Sequence, residues 1–190
     1  MKQIFFLHDL GLSYEHIYAC KNDCVLFWKK NTNLVECSMC KESKYKVDHA
    51  SGMKITHKVL RYFPLTPRLR RLYMSRKRAK NMRWYRDKRV DDGISRHLAY
   101  NEELKEFDLQ HLEFALEPRN VRLGLTTDRF NPFGNMNNSY TMWPIILISY
   151  NLPPWLVVKE IFFMLFLLIP GPHQLRNDIN VCLRPLVDEL

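Results

Sequence analysis

The chain has 190 residues, 46% of them hydrophobic and 26% charged, with four Trp, nine Tyr and eleven Phe. Such a composition excludes a disordered chain and fits one ordinary folded domain or two small ones. The net charge of +9 is uneven: Lys54 to Val90 holds fourteen Lys/Arg and one acid, Asp87, whereas the rest holds fifteen Lys/Arg and nineteen Asp/Glu.

Residues 2 to 11 read as a short helix closed by Gly11. The apolar run there, Ile4 to Leu7, is short and lacks a small-residue cleavage site, so no secretory signal is expected. A reducing compartment follows, where paired cysteines bind metal more often than they form disulfides. Cys20 to Cys40 is a cysteine module, and Lys41 to Thr56 is polar and loop-like. Thr66-Pro67 reads as an N-cap and the first helical residue, with Leu69, Leu72 and Tyr73 at helical spacing behind it. Ser75 is the expected cap of a second helix through Arg89. Asp91-Asp92-Gly93 reads as a turn, and Asp108 as the cap of a further short helix ending near Glu117-Pro118.

Beyond Pro118 the pattern changes. Val121, Leu123 and Leu125 alternate as on one face of a strand. Asn131 to Asn135 is turn chemistry. Pro144 to Tyr150 and Ile161 to Ile169 read as buried strands, joined through a turn at Asn151 to Pro154. Asp178 is the expected cap of a helix through Leu190, with Ile179, Cys182, Leu183 and Leu186 on its apolar side. Three strands and a helix without crossovers predict an antiparallel meander, and hence an α+β fold. The apolar stretch 143–172 also admits a single membrane span. However, Asn151, Pro153, Pro154, Lys159 and Glu160 interrupt it, and its longest clean run is nine residues against the roughly 20 a span needs. Strands explain it better, and no membrane partner is expected.

Cys20-x3-Cys24 and Cys37-x2-Cys40 are two close pairs twelve residues apart, the arrangement of a zinc ribbon. Four thiolates close a tetrahedral site, so the expected zinc is structural. In so small a module, binding on the order of 10 kcal/mol stands in for a core. His49 and His57 are alternative ligands. The basic segment suits a polyanion, because each Lys or Arg on a phosphate releases counterions. Its candidate nucleic-acid contacts are Arg68, Arg70, Arg71, Arg76, Lys77, Arg78, Lys80 and Arg83.

Leu10 to Cys24, Cys37-Ser38-Met39-Cys40 and Ala79-Lys80-Asn81-Met82-Arg83-Trp84 carry a family signature. So do Glu117-Pro118-Arg119-Asn120-Val121-Arg122-Leu123-Gly124-Leu125, then Asp128 with Phe130 to Asn135. Trp143-Pro144, Tyr150 to Trp155, Pro170-Gly171-Pro172 and Asn177-Asp178-Ile179 continue in the same order. The chain resembles the plant CACTA (En/Spm-type) DNA transposases over about residues 5 to 190. The resemblance implies a partial RNase H-like core of three antiparallel strands and a helix. It also implies a DDE/D-type active site that uses Mg²⁺ for phosphoryl transfer, and it puts Asp128 at the first catalytic carboxylate.

The other two carboxylates lie further along in the family, beyond Leu190, so a fragment inactive by itself is expected. Asp178 reads as a helix cap and Asp188 as part of a solvated helix face. Arg129, Tyr140, Tyr85, Leu175-Arg176 and Asn180 depart from the family pattern, and Arg129 would compete with metal for Asp128. The expected domains are 1–50, a short helix with the ribbon; 51–116, basic and mostly helical; and 117–190, the opening of the core. The expected setting is nuclear, on transposon-end DNA, with a full-length transposase as a further partner. The alternative is a zinc-dependent DNA-binding module without catalysis.

Overall fold

The computed structural model describes residues 13–89, 100–133, 140–171 and 179–190. The helix expected over residues 2 to 11, the Asp91-Asp92-Gly93 turn and the Asp178 cap lie outside the described residues. The chain is mixed α and β with an antiparallel sheet, and it divides into two compact units. One comprises Met1–Pro64, Thr127–Ile145 and Leu165–Leu190; the other comprises Leu65–Thr126 and Ile146–Met164.

In the first unit β1 (Glu15–Ala19) pairs with β2 (Leu26–Phe27) and, on its other side, with β5 (Lys58–Tyr62). Alternation explains both longer strands. Ile17 and Ala19 of β1 and Leu60 and Tyr62 of β5 are buried, with Ile17 opposite Leu60. The polar stretch expected as a loop forms a hairpin instead, β3 (Tyr45–Val47) with β4 (Lys54–Thr56). Its turn is fixed by Asp48, which accepts hydrogen bonds from Ala50 N and Ser51 Oγ, and by Gly52 at φ 68°.

β5 continues onto β8 (Met164–Gly171) with Tyr62 opposite Leu167. β8 in turn neighbours β7 (Thr141–Ser149). The helix near the end of this unit, Ile179–Val187, buries Cys182 and Leu186 of its expected apolar side and also Pro185, while Ile179 and Leu183 are half-buried. The stretch 143–172 thus holds most of β7 and all of β8 with two short helical turns between them, and no helix among the described residues is long and apolar enough to cross a membrane. That replaces the single-span reading. Charged and proline residues end each apolar run early, and the runs find their cover in the sheet.

In the second unit α1 (Thr66–Met74) begins at Thr66, the residue expected as its cap, so Leu65 takes the cap position and Pro67 lies in the first turn. The helix expected from Ser75 to Arg89 breaks at Arg83 into α2 (Arg76–Met82) and α3 (Trp84–Asp87). Met82, Trp84 and Tyr85 are all buried, which one straight helix face cannot achieve. Tyr85 N donates instead to Asn151 O at 3.2 Å. Two helices follow, α4 (Glu102–Gln110) and α5 (Leu112–Leu116). Asp108 lies inside α4 and caps nothing.

β6 (Leu123–Thr127) comes next, beside β7. Its burial departs from the prediction, with Val121 and Leu123 only half-buried. Arg122 and Gly124 are buried, while Leu125 is 43% exposed. A short helix, α6 (Pro154–Val157), follows the Asn151–Pro153 turn. Met82, Leu152 and Val157 form a core here, joined by Leu72, Tyr73, Val121 and Ile148. The Ile179–Val187 helix of the first unit is α7.

Candidate functional site

Two chain reversals bring four thiols together. Cys20 N donates to Val25 O and Asp23 N to Cys20 O; Cys37 N donates to Glu42 O and Lys41 N to Cys37 O. Each reversal needs one left-handed residue, supplied by Asp23 at φ 59° and Lys41 at φ 62°. Lys58 of β5 grips the first reversal through Asp23 at 2.6 Å, with both side chains largely buried. The sulfurs of Cys20, Cys24, Cys37 and Cys40 all lie within 4.8 Å of one another, and Cys20 and Cys40 approach to 3.4 Å. A tetrahedral ion with bonds of about 2.3 Å has sulfur–sulfur edges of about 3.8 Å. Four thiols so placed can hold one zinc ion.

Their electrostatics differ. Backbone N–H donation from Glu42 lowers the Cys40 thiol to about 6, whereas burial raises Cys20 to about 12. Asn22 adds donors to two of the sulfurs, through N to Cys20 and Nδ2 to Cys40. Neither His49 nor His57 belongs to the cluster.

The sequence-predicted cations lie on α1 and α2. Arg70, Arg71, Arg76, Lys77, Arg78 and Lys80 are exposed, and neither helix contains an acid. Arg68 is half-buried. Arg83, between α2 and α3, is exposed and pairs with Asp87 at 3.2 Å. A cleft of about 300 Å³ joins these helices to the Glu117-Pro118-Arg119 motif, lined by Tyr73, Ala79 and Arg83 from the helical side. Tyr73 donates there to Arg119 O at 2.9 Å, and Glu117 is lowered to about 2 by its bond to Arg119.

Asp128 directly follows β6, is exposed, and accepts the N–H of Arg129 at 2.7 Å. Among the described residues the only group of three or more metal-binding side chains is the thiol cluster. Asp128 thus offers magnesium one ligand side chain, outside any such group among the described residues.

Sequence reasoning missed two arrangements. Arg122 is buried against Asp108, under the rings of Tyr85 and Phe114. Asp188, expected on a solvated face, is exposed and also pairs with both Lys29 and Arg184. Arg122–Asp108 and Lys29–Asp188 join residues 14 and 159 positions apart and leave no local signal, whereas Arg184–Asp188 is an i,i+4 pair.

Comparison with curated proteins and with solved structures gives no match. A family model described as "Transposase family tnp2" matches residues 92–190, just over half of the chain, including Arg122, Asp128 and α7. The chain belongs to that transposase family.

Proposed function

We propose that this transposase-family chain is of the CACTA (En/Spm) type and holds transposon-end DNA in the nucleus on the cations of α1 and α2. The observation that carries this is the set of six exposed Lys and Arg on two successive acid-free helices. Six phosphate contacts would release counterions and give affinity a logarithmic salt slope of about −5. The thiol cluster takes a structural zinc that fixes the N-terminal fold, because four thiolates leave no open position for chemistry.

Asp128 is read as the first carboxylate of an RNase H-like centre. Its place straight after β6 supports this, since β6, β7 and β8 neighbour one another in chain order and α7 follows them. Paired magnesium ions need several carboxylates. With Asp128 in no such group among the described residues, the chain by itself binds DNA without cutting it, and an intact transposase supplies the strand chemistry.

The test is titration of a labelled transposon-end duplex over a range of salt, with strand nicking followed in Mg²⁺. Binding should weaken steeply with salt, fall in an Arg76→Glu/Arg78→Glu variant and survive Asp128→Ala, without nicking. Salt-independent binding, or binding indifferent to both charge reversals, would sink the reading. Nicking abolished by Asp128→Ala would show instead that the chain is a complete catalyst.

A further inference from the structure

Within the first unit, the turn Lys29–Asn31 and α7 face each other across a cleft of about 530 Å³, within the size range of small-molecule sites. Trp28 lines it, half-buried, with three cations, Lys29, Lys30 and Arg184, against one carboxylate, Asp188. Asn31 and Asn180 line it as well. Lys29 adopts φ 48°, a left-handed conformation that few side-chain-bearing residues take. Its ammonium stands 4.4 Å over the Trp28 indole. The same ammonium meets Asp188 Oδ2 at 3.0 Å, and Arg184 Nε meets Asp188 Oδ1 at 2.9 Å.

We infer that this cleft binds one nucleotide of single-stranded DNA, with the base on Trp28 and the phosphate on Lys29, Lys30 and Arg184. The inference rests on the DNA-holding reading above but uses a different surface from α1 and α2. Each group already in the cleft occupies the place of part of that ligand. The Asp188 carboxylate sits where two cations would grip a phosphate, as carboxylates and phosphates share bidentate hydrogen-bonding geometry. The Lys29 ammonium covers the indole face on which a base stacks. Entry of a nucleotide exchanges carboxylate for phosphate and ammonium for base. Lys30 is exposed, and no carboxylate pairs with it among the described residues, so it adds a net attraction at the mouth. A single strand fits better than a duplex, because stacking on an indole requires a base free of its partner.

The experiment measures anisotropy of a labelled oligothymidylate of about eight nucleotides with the full chain, beside a labelled duplex. Lys30→Glu and Arg184→Glu should each weaken single-strand binding about tenfold while leaving duplex affinity within about twofold. Asp188→Asn should tighten single-strand binding roughly two- to fivefold by releasing Lys29 and Arg184. All three sites are on the surface, so folding is expected to survive, and far-ultraviolet circular dichroism checks it.

Single-strand affinity indifferent to Lys30→Glu and Asp188→Asn overturns the cleft. So does tight binding of inorganic phosphate or a free mononucleotide with none of the oligonucleotide. Duplex binding sensitive to Arg76→Glu without any single-strand binding sinks the cleft alone. Single-strand binding at the cleft without duplex binding sinks only the α1–α2 reading.

Discussion

Arg122 donates through Nε and Nη2 to one oxygen of Asp108, at 2.9 and 2.7 Å, and only 4% of its side chain is exposed. The other oxygen of Asp108 accepts the phenol of Tyr85 at 2.9 Å, and Tyr85 and Phe114 lie against the guanidinium. Arg122 N donates in turn to Asn151 Oδ1 at 2.7 Å. Removing one member of a buried pair strands the other's charge. Asp108→Ala should therefore cost about 3 kcal/mol, the low end for such pairs because Asp108 keeps some contact with water. The double variant Asp108→Leu/Arg122→Met should recover most of it. Denaturant midpoints for the two singles and the double decide this; additive losses would mean that the pair contributes nothing as a pair.

Tyr85 gives this cluster a pH dependence. Burial, then its bond to Asp108, raises the phenol from an ordinary value near 10 to about 12, with Arg89 and Arg122 opposing the shift. The folded value lies above the unfolded one, so folding favours the protonated phenol. This contribution is complete below about pH 10 and disappears as pH rises from there toward 12. Tyr85→Phe should cost about 1 kcal/mol at neutral pH, and the gap to wild type should close in alkali. The measurement is the difference in unfolding midpoint between the two proteins from pH 7 to 11. A gap that stays constant above pH 10 would refute the assignment.

Gly124 and Tyr150 meet across β6 and β7. Tyr150 N donates to Arg122 O at 2.9 Å, and its phenol lies over Gly124, where a Cβ would overlap both the oxygen and the ring. An aromatic ring covering a strand glycine restores the packing that the missing side chain forgoes. Gly124→Ala must push the ring aside, at a cost of about 1–3 kcal/mol. Tyr150→Leu should relieve that cost, whereas Tyr150→Phe should not, because the ring carbon Cζ already obstructs the site. A double-variant cycle by thermal unfolding reads the coupling, and zero coupling with Leu would contradict the geometry.

What could be read from the sequence was whatever the chain encodes locally. The paired cysteine spacing foretold the thiol cluster, Thr66-Pro67 the start of α1, and the apolar runs 144–150 and 161–169 the strands β7 and β8, within a few residues. The failures came from partners distant in sequence. Alternation put Val121, Leu123 and Leu125 inward, yet Asp108 and the ring of Tyr85 made it favourable to bury Arg122 instead. Lys41 to Thr56 looked like a loop because its alternation is masked by lysines, although the hairpin needs only its turn at Asp48 to Gly52. Asp188 gave no hint of Lys29, which lies 159 positions away.

The thiol cluster should govern the N-terminal fold. Cys20, Phe27 and Cys37 form its small core, with Tyr18, Cys24, Val25 and Cys40 around them. That is little apolar material, so zinc binding on the order of 10 kcal/mol would dominate the stability of this part. A strong chelator should unfold it, and near-ultraviolet circular dichroism of Trp28 and its tyrosine neighbours should collapse and return with added zinc. Cys37→Ser should mimic the chelator. Signals unchanged after metal removal, with the metal shown to be gone, would reduce the cluster to four packed thiols.

Lys44 carries the most specific consequence. It is 5% exposed, yet among the described residues its ammonium has one hydrogen bond, to Thr32 O at 3.1 Å, and otherwise faces the rings of Tyr18, Phe27 and Tyr45 at 5.0 to 5.6 Å. A desolvated cation is costly unless negative charge is at hand. Aromatic faces supply part of it. Zinc with four thiolates, a centre of net charge −2, would supply more, and Phe27 packs against both Lys44 and the cysteines. Lys44→Met keeps the volume and removes the charge. It should leave the metal-free state no less stable but weaken zinc binding about tenfold, as losses around metal ligands do. Competition against a chromophoric chelator measures the affinity, and Lys44→Arg should restore most of it. Equal affinity in Lys44→Met and wild type would show that the ammonium is held by its aromatic cage alone.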